Sequence, residues 1–406
     1  MVTNLDKKIL AYALKNAIAH EGSASSGSVI SSLFNEGLEK SEVKNVMPKI
    51  NEIIKEISKL SLEEQEKEFE KLSELVSERK VREGLPELPN AEKGVIMRIA
   101  PSPSGPLHVM HAVVASYSYL YVKKYGGEFI VRIEDTNPEN IYSPAYEMIS
   151  EEVKWLFKGE AKVYIQSDRM QIYYDYAEKL IKKNSAYVCT CSQEDFKNFS
   201  ENKKDCPCRK KSVEKNLEDW KKMFDSKKGF AEGEAVLRFK TTGEGMKNKN
   251  PAMRDFPLAR INESEHPRQG KKYRVWPLMN LAVATDDIEM KMTHIIRGKD
   301  HRDNSERQKM IYSALGKEKN FPWCAFIGRT NFKEMALSTS QTRKDIEEKK
   351  YSGFDDPRLP FVASLKKRGY KPEAFWKMAE HIGISEVDKV ISMKDFFDVL
   401  DKFNSE

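Results

Sequence analysis

Apolar and polar residues follow two different periods along the chain, and the period changes near Val95. Before this point apolar residues recur every three or four positions, as in KKILAYALKNAIAHEG and VKNVMPKINEIIKEISKLSLEEQEKEFEKLSELVSER, which predicts amphipathic helices. Residues 22–27 are predicted to break the helical pattern, and GLPELPN is predicted to be a linker. Residues 1–92 are therefore predicted to form an N-terminal helical extension.

From Val95 onwards, short runs of β-branched and apolar residues alternate with helical patterns. These runs are VIMRIA, EFIVRIED, THIIRGKD and PWCAFIG. Strands separated by helices indicate a parallel sheet with crossover helices, so the predicted fold class is α/β with a doubly wound, Rossmann-like, nucleotide-binding core. An insertion, roughly residues 186–285, is predicted to interrupt this core, and the chain is predicted to become helical again after about Phe354.

The composition is that of a globular protein, and we expect it to be cytoplasmic. The chain has 406 residues, of which 39% are apolar, so it is long enough for two or three domains. No apolar stretch approaches the roughly 20 residues that span a bilayer, and the first ten residues lack the apolar block of a secretory signal. The net charge of +6 only weakly favours a nucleic-acid partner.

Four of the five cysteines lie close together as CTC and CPC. They form two C-x-C pairs separated by residues 192–205, namely Cys189, Cys191, Cys206 and Cys208. In a cytosolic chain, such clustering favours a metal site over disulfides, and four thiolates can complete the tetrahedral coordination of Zn²⁺. The sequence therefore predicts a structural zinc ion, with four reduced thiols as the alternative.

The segment RIAPSPSGPLHVMHA, residues 98–112, has the pattern of a phosphate-binding turn. A strand ends in a loop with three prolines and Gly105, and a helix then begins near His108. The first backbone N–H groups of that helix and its dipole attract anions. His108 and His111 are three residues apart, hence on one helical face, where both can donate hydrogen bonds to a phosphate. Two ordinary surface histidines are the alternative.

The same segment resembles the first signature of class I aminoacyl-tRNA synthetases, in the form found in those for glutamate and glutamine. The resemblance continues in the family's order from about residue 95 to 370. It includes GGEFIVRIEDTNPE, QSDRMQIYYDYAEKLI, NPAMRDFPLARI, HPRQGKKYRVWPLMN, THIIRGKDHRDNSERQ, LSTSQTRK and GFDDPRLP. The N-terminal helices resemble the extension of archaeal members.

This resemblance implies an ATP-dependent glutamate–tRNA ligase that forms glutamyl-adenylate and transfers glutamate to the 3′ end of tRNA. The implied ligands are ATP with Mg²⁺, glutamate and a glutamate-accepting tRNA, without a membrane partner. The implied regions after the N-terminal extension are the first half of the core at 93–185, an inserted tRNA acceptor-end module at 186–285, the second half of the core at 286–350 and a helical stem-contact region at 351–406. The basic text around the cysteines suits the acceptor end of tRNA, or is ordinary solvated surface.

The resemblance also assigns roles to residues. Glutamate binding is expected at Arg98, Ser102, Glu134 and Arg297, with the arginines binding carboxylate and Glu134 receiving the ammonium group. ATP binding and catalysis are expected at Gly105, His108 and His111, and at Ser338, Thr339, Ser340, Arg343 and Lys344 of the second signature, ALSTSQTRK. That signature corresponds to the mobile phosphate-binding loop of the family.

The chain departs from the family pattern at several positions. Met110 replaces a glycine that lets the adenosine lie against the helix, Gln341 replaces a lysine, and some relatives have a substrate-contacting tyrosine near Met279. The chain ends where the family's anticodon-binding region is expected to begin, so a separate chain could supply that function. Two alternatives follow: a ligase for a modified tRNA or another acceptor, and a catalytically silent relative that binds tRNA or protein.

Overall fold

The computed structural model describes residues 4–39, 41–76 and 84–406. The chain divides into two compact units, Met1–Arg82 and Glu83–Glu406. No helix among the described residues is both long and apolar enough to cross a membrane.

The first unit is a small helical unit with its own apolar core. Its helices are α1 (Asn4–Ala19), α2 (Ser26–Asn35), α3 (Val43–Ile57) and α4 (Leu62–Glu70). The helical pattern predicted after Val43 is interrupted before α4, because the Ser61 side chain accepts the Glu64 N–H while the Glu64 carboxylate accepts the Ser61 N–H. This capping box satisfies donors that a continuous helix would use internally. The end of the predicted helix, residues 77–79, lies outside the described residues.

The second unit begins with alternating strands and helices. These are β1 (Val95–Ile99), α5 (Val109–Tyr125), β2 (Gly127–Ile133), α6 (Ala145–Leu156), β3 (Lys162–Ile165) and α7 (Met170–Lys182). An inserted region follows, with β4 (Ala186–Cys189), α8 (Gln193–Glu201), α9 (Val213–Phe224), β5 (Val236–Phe239), β6 (Pro257–Ile261) and β7 (Val275–Pro277). In the inserted region, neighbouring strands pair antiparallel in the order β4-β5-β6-β7.

Alternating elements then resume and lead into a helical C-terminal part. They are α10 (Met279–Glu289), β8 (His294–Gly298), α11 (Arg302–Ala314), β9 (Trp323–Ile327), β10 (Thr330–Phe332) and α12 (Thr339–Glu347). The last elements are α13 (Val362–Lys367), α14 (Pro372–Ile382), β11 (Lys389–Ile391) and α15 (Met393–Ser405). β10 pairs parallel with β11, so a late segment of the chain returns to the core.

The core sheet is parallel, as the alternation of strands and helices predicts. β1, β2 and β3 pair parallel in that order, and β8 pairs parallel with β9. The two groups meet because the Thr293 N–H, just before β8, donates to the Ile96 carbonyl of β1 at 3.0 Å. The strand order therefore changes direction between β1 and β8, and such a point is where doubly wound sheets bind ligands. The four strands predicted for the core are confirmed, whereas β3, β10 and β11 were not predicted.

The loop after β1 is hydrogen-bonded to a segment near the C-terminus. The Val109 N–H donates to the Pro360 carbonyl at 2.8 Å, and the Val362 N–H donates to the Leu107 carbonyl at 2.9 Å. His108 lies between these bonds and forms an antiparallel bridge with Phe361. The start of α5 is thus fixed by residues about 250 positions later in the chain.

Candidate active site

A cavity of about 590 Å³ opens at the carboxyl ends of β1, β8 and β9. Side chains from the strand ends meet there with the first turn of α5, since all of these elements end or begin at the same edge of the sheet. The residues predicted from the sequence that line it are Arg98, Ser102, His108, His111, Glu134 and Arg297. The loop after β1 and the loop after β8, which are about 200 residues apart in the sequence, therefore contribute to one site.

The two imidazoles are stacked on one another at the beginning of α5. Their ring centroids are 3.5 Å apart. His108 is the N-cap residue, and its Nδ1 accepts the His111 N–H at 3.3 Å while the His111 Nδ1 accepts the His108 N–H at 3.4 Å. An imidazole nitrogen that accepts a hydrogen bond carries no proton, so in the neutral form each ring has its proton on Nε2. Both rings are therefore set as Nε2–H donors.

The surroundings keep both rings neutral. The surrounding cleft walls lower the pKa of both rings below the usual value by desolvation, less for His111 than its enclosure suggests because its side chain is exposed at the open cavity. The charge of His111 further lowers the pKa of His108. At neutral pH the pair offers two N–H groups without adding positive charge.

A buried ion-pair system holds the acidic and basic groups at the ends of β1 and β2. Arg98 donates from Nε and Nη2 to the two carboxylate oxygens of Asp287 at 2.7 and 2.8 Å. Arg132 donates to Asp287 at 2.7 Å and to Glu134 at 3.0 Å. Burial by itself would raise the pKa of Asp287, but Arg98 and Arg132 outweigh it and hold that pKa well below its usual value. Arg98 is therefore a neutralised cation with Nη1 left for a ligand.

Arg297 has a different environment. Its Nη1 donates to the hydroxyl of Ser305 and the side-chain carbonyl of Gln308, both at 2.9 Å, and both partners are neutral. Its Nε is buried without a hydrogen-bond partner, and among the described residues it forms no ion pair. Burial, together with the charge of Arg98, lowers the pKa of Arg297 to about 10, so the group remains protonated at neutral pH. A buried cation with an unused donor is a site for an anion.

The three positions that depart from the family pattern lie in different surroundings. Met110 lines the cavity, although its side chain is only 8% exposed and packs within the core of the second unit. Met279, at the start of α10, also lines the cavity and is exposed. Gln341 is exposed and donates to Asp345 at 3.2 Å. Of the three, Met110 and Met279 border the space where a ligand would lie.

The second signature forms the beginning of a helix, and the expectation of a loop is wrong there. Ser338 is the N-cap of α12, and its hydroxyl accepts the Gln341 N–H at 3.3 Å, which starts the helix at Thr339. Leu337 lines the cavity, but the hydroxyl and cationic side chains that follow it do not, namely Ser338, Thr339, Ser340, Arg343 and Lys344. Arg343 instead lies over the ring of Tyr142 at 5.4 Å.

Gly105 brings the two signatures together. A Cβ atom at this position would overlap the methyl group of Thr339 and would lie 3.5 Å from the ring of Phe354. The missing side chain therefore lets the loop after β1 pack directly against the first residue of α12. The sequence singled out Gly105 for its place in the turn, and the structure adds this close approach.

The four cysteines of the inserted region converge in space. Their sulfur atoms all lie within 4.8 Å of one another, with Cys189 and Cys206 at 3.9 Å and Cys191 and Cys208 at 3.8 Å. The Thr190 N–H points to the Cys208 sulfur at 3.4 Å, as a donor to a thiolate would. Zinc–sulfur bonds of about 2.3 Å place the sulfurs of a tetrahedral site about 3.8 Å apart, so the cluster fits zinc.

Comparison with known proteins agrees with this geometry. Residues 94–403 match the family model of tRNA synthetases class I (E and Q), catalytic domain. The chain belongs to this family. The synthetase is 45% identical to the glutamate–tRNA ligase of Methanobrevibacter smithii, over 98% of this chain and 70% of that protein. It is 43% identical to the glutamate–tRNA ligase of Methanocaldococcus jannaschii, over 97% of this chain and 70% of that protein.

A solved structure shares the fold of the synthetase. A glutamate tRNA ligase from Elizabethkingia meningosepticum, crystallised in complex with its amino acid, superposes with a TM-score of 0.51 at 25% identity. The match covers 75% of this chain and 65% of that chain. The chain thus spans about two thirds of this solved structure and about 70% of the archaeal relatives. The class I synthetase fold predicted from the sequence is confirmed.

Sequence analysis of the synthetase missed the buried charged residues that bind Arg98 and Glu134 on the side away from the cavity. Asp286 and Asp287 lie on α10 and are both buried, and Arg132 lies inside β2. One signal was available, because two consecutive carboxylates so close to the apolar run LAVA, residues 281–284, are unusual for a buried helix. Their partners could not be identified, since Arg98 is 189 positions away from Asp287.

Gly105→Ala is expected to destabilise the synthetase by about 1–3 kcal/mol, because the new Cβ overlaps the Thr339 methyl group. Thr339→Ser removes that methyl group and should by itself cause little change. The double variant should recover most of the loss, as measured by urea denaturation of all four proteins. Equal destabilisation by Gly105→Ala with and without Thr339→Ser would contradict the proposed close approach.

Proposed function

We propose that this synthetase is a glutamate–tRNA ligase, which activates glutamate with ATP and transfers it to the 3′ end of a glutamate-accepting tRNA. The family match and the archaeal relatives support the reaction class. The observation that carries the choice of an acidic amino acid is Arg297, a cation at the cavity with neutral partners, whose Nη2 forms no hydrogen bond among the described residues. The substrate carboxylate supplies the missing anion.

The amino-acid site contains opposite charges at its two ends. Arg98 and Arg297 provide planar donors for carboxylate oxygens, and Glu134, half-buried at the end of β2, provides an acceptor for the ammonium group. Ser102, exposed at the cavity wall, adds a hydroxyl. Burial strengthens the interactions of Arg98 and Arg297, because little water competes for these donors.

The chemistry requires alignment more than proton transfer. The α-carboxylate of glutamate attacks the α-phosphorus of ATP, the bond to the pyrophosphate oxygen breaks, and pyrophosphate leaves with Mg²⁺. The two Nε2–H groups of His108 and His111 are suited to stabilise the charge that grows on the phosphate oxygens. The terminal ribose hydroxyl of tRNA then attacks the carbonyl carbon of the adenylate and releases AMP.

The second signature contributes to phosphate binding in this proposal only after a movement. Arg343 and Lys344 lie outside the cavity, on the first turns of α12. Ser338, Thr339 and Ser340 are nearer, since Leu337 just before them lines the cavity. We propose that this segment turns towards the triphosphate when ATP binds.

We propose that the cysteine cluster holds a structural zinc ion. Four sulfur ligands leave no open coordination position, so zinc would fix the fold of the inserted region rather than activate water. Nearby, Arg209 is bound to Asp255 and Lys211 to Asp219, so these two cations are already paired inside the protein.

Exposed lysines near the cluster are better placed for tRNA. Lys203, Lys204 and Lys210 are exposed, and their charges suit the phosphates of the tRNA acceptor end. We propose that these residues supply phosphate contacts of the inserted module. A separate chain for anticodon binding stays a prediction.

The direct test is ATP–pyrophosphate exchange with purified protein, glutamate and total archaeal tRNA, followed by measurement of glutamylated tRNA. Exchange should depend on glutamate and should not occur with aspartate or glutamine. No exchange in the presence of tRNA would refute the proposed ligase.

Arg297→Gln is expected to raise the KM for glutamate roughly 10–100-fold, because charge-assisted hydrogen bonds contribute about 1.5–3 kcal/mol. Arg297→Lys should have an intermediate KM, since it keeps the charge but loses the planar fork. The control is Arg302→Gln, which removes an exposed arginine paired with Glu386 outside the cavity and should leave the KM unchanged. An unchanged KM in Arg297→Gln would remove this residue from the glutamate site.

Zinc should be present at about one equivalent per chain by metal analysis, because the cluster supplies one complete ligand set. Cys191→Ser should lower both the zinc content and the melting temperature. Cys324→Ser, which changes the cysteine outside the cluster, should alter neither the metal content nor its resistance to chelators. Full stability of metal-free protein would show that the thiols need no metal.

Met110→Gly is expected to lower the KM for ATP severalfold, because the thioether borders the cavity at the start of α5. The KM for glutamate should not change, since the strand-end residues are untouched. Both Met110→Gly and Met110→Ala remove a largely buried side chain, which costs about 2–5 kcal/mol of stability. Glycine in the first turn of a helix costs up to about 1 kcal/mol more, so Met110→Ala serves to separate this backbone effect from the loss of the side chain. A KM for ATP that rises in both variants would mean that Met110 supports the nucleotide.

A further inference from the structure

Two residues of the ion-pair system connect the groups that contact the amino acid. Asp287 binds the Arg98 guanidinium through two parallel hydrogen bonds, and it also accepts a bond from Arg132. Arg132 in turn donates to Glu134. The path Arg98–Asp287–Arg132–Glu134 therefore joins the carboxylate-binding end of the site to its ammonium-binding end. All its links lie between 2.7 and 3.0 Å.

This path has little freedom to move. Arg98 and Asp287 are 3% and 2% exposed, and Arg132 is completely buried. A guanidinium bound to one carboxylate by two of its nitrogens cannot rotate without breaking both bonds. The free nitrogen of Arg98 is therefore held at a fixed position relative to Glu134.

A second carboxylate holds Arg132 from the other side. The Asp286 carboxylate lies 3.5 Å from the Arg132 Nε. Asp286 itself accepts hydrogen bonds from Gln166 at 3.0 Å and from Arg169 and Tyr173 at 2.8 Å. Arg132 thus lies between two carboxylates that are each held by other partners, although its Nε forms no hydrogen bond, so it has little room to follow a displaced Glu134.

Stability alone does not account for this arrangement. Buried ion pairs often contribute no more to stability than well-packed apolar side chains, because desolvation of the charges offsets their attraction. A rigid connection between two ligand-binding groups sets a defined distance between opposite charges on the cavity wall. Apolar packing cannot do this.

We propose that Asp287, acting with Arg132, is a positioning residue that fixes the spacing between Arg98 and Glu134 and thereby selects an amino acid of the length of glutamate. This inference rests on the proposed function, because it takes glutamate as the ligand of Arg98 and Glu134. Asp287 does not touch the substrate. It acts through the direction and depth of the Arg98 side chain.

The test is calorimetric binding of glutamate, aspartate and ATP to the full chain with saturating tRNA. Asp287→Asn removes the charge that orients Arg98. The Kd for glutamate should rise about 10–100-fold, while the Kd for ATP stays within about twofold. The preference for glutamate over aspartate should fall at least about tenfold, since the two ends of the site are no longer held apart at one distance.

Asp287→Glu keeps the charge and covers the case in which Asp287→Asn does not fold. The additional methylene pushes the Arg98 guanidinium into the cavity and shortens the site. The affinity for aspartate should therefore increase relative to the affinity for glutamate. Asp219→Asn is the matched control, because Asp219 is 3% exposed and also has two cationic partners, Lys211 and Lys215, but lies away from the cavity.

The outcomes separate the inference from the proposed function. Unchanged glutamate affinity and unchanged preference in both Asp287 variants would overturn the inference while leaving the ligase intact. Parallel loss of glutamate and ATP binding, matched by Asp219→Asn, would assign Asp287 a purely structural role and also overturn it. No glutamate binding by the wild type would refute the proposed function and this inference together.

Discussion

The carboxylate of Asp287 between Arg98 and Arg132 is the interaction on which the rest of the site depends. Two guanidinium groups without a counter-charge could not both be buried at the ends of neighbouring strands, since burial of unpaired charge is strongly unfavourable. α10 supplies the counter-charge and so must lie behind β1 and β2. The same helix leads directly into β8, which carries Arg297. Formation of the ion pairs and placement of the second arginine are therefore one structural event.

The contrast between the two cavity arginines explains how the site can be stable and still bind an anion. Arg98 is neutralised within the protein, whereas Arg297 has neutral partners and an unused donor. If both were neutralised, an acidic substrate would meet no net attraction. If neither were, the empty site would carry two buried, uncompensated charges. With Arg98 neutralised and Arg297 not, the site keeps a single positive charge for the substrate.

Local features of the sequence predicted much of the core. The apolar run around Arg98 and the proline-rich turn after it predicted β1 and the start of α5, because strand pattern and helix capping depend on neighbouring residues. β3 was not predicted, because its apolar run of only three residues, Val163, Tyr164 and Ile165, is too short to show a strand period. Residues 339–344 were expected in a loop because the family resemblance assigns a mobile loop there, whereas Ser338 caps a helix that begins at Thr339.

The site was predictable only where its residues lie close in sequence. The short spacing within each cysteine pair predicted the cysteine cluster, and the short spacing of His108 and His111 predicted that the two rings lie together. Residues close in sequence have few possible relative positions, so their geometry can be predicted. Asp287 and Arg98 could be paired only by the folded sheet, which brings together positions 189 residues apart. Resemblance to a family supplied the roles of Arg297 and Glu134, which spacing alone did not distinguish from solvated strand ends.

The backbone hydrogen bonds between the turn after β1 and the segment before α13 affect how this enzyme unfolds. The Val109 N–H and the Leu107 carbonyl are hydrogen-bonded to Pro360 and Val362, so separating the two segments leaves these buried peptide groups without partners. The residues after position 351 are therefore no detachable appendage of the nucleotide-binding sheet. Separating them from the turn would also displace His108, which lies between the two hydrogen bonds and stacks on His111.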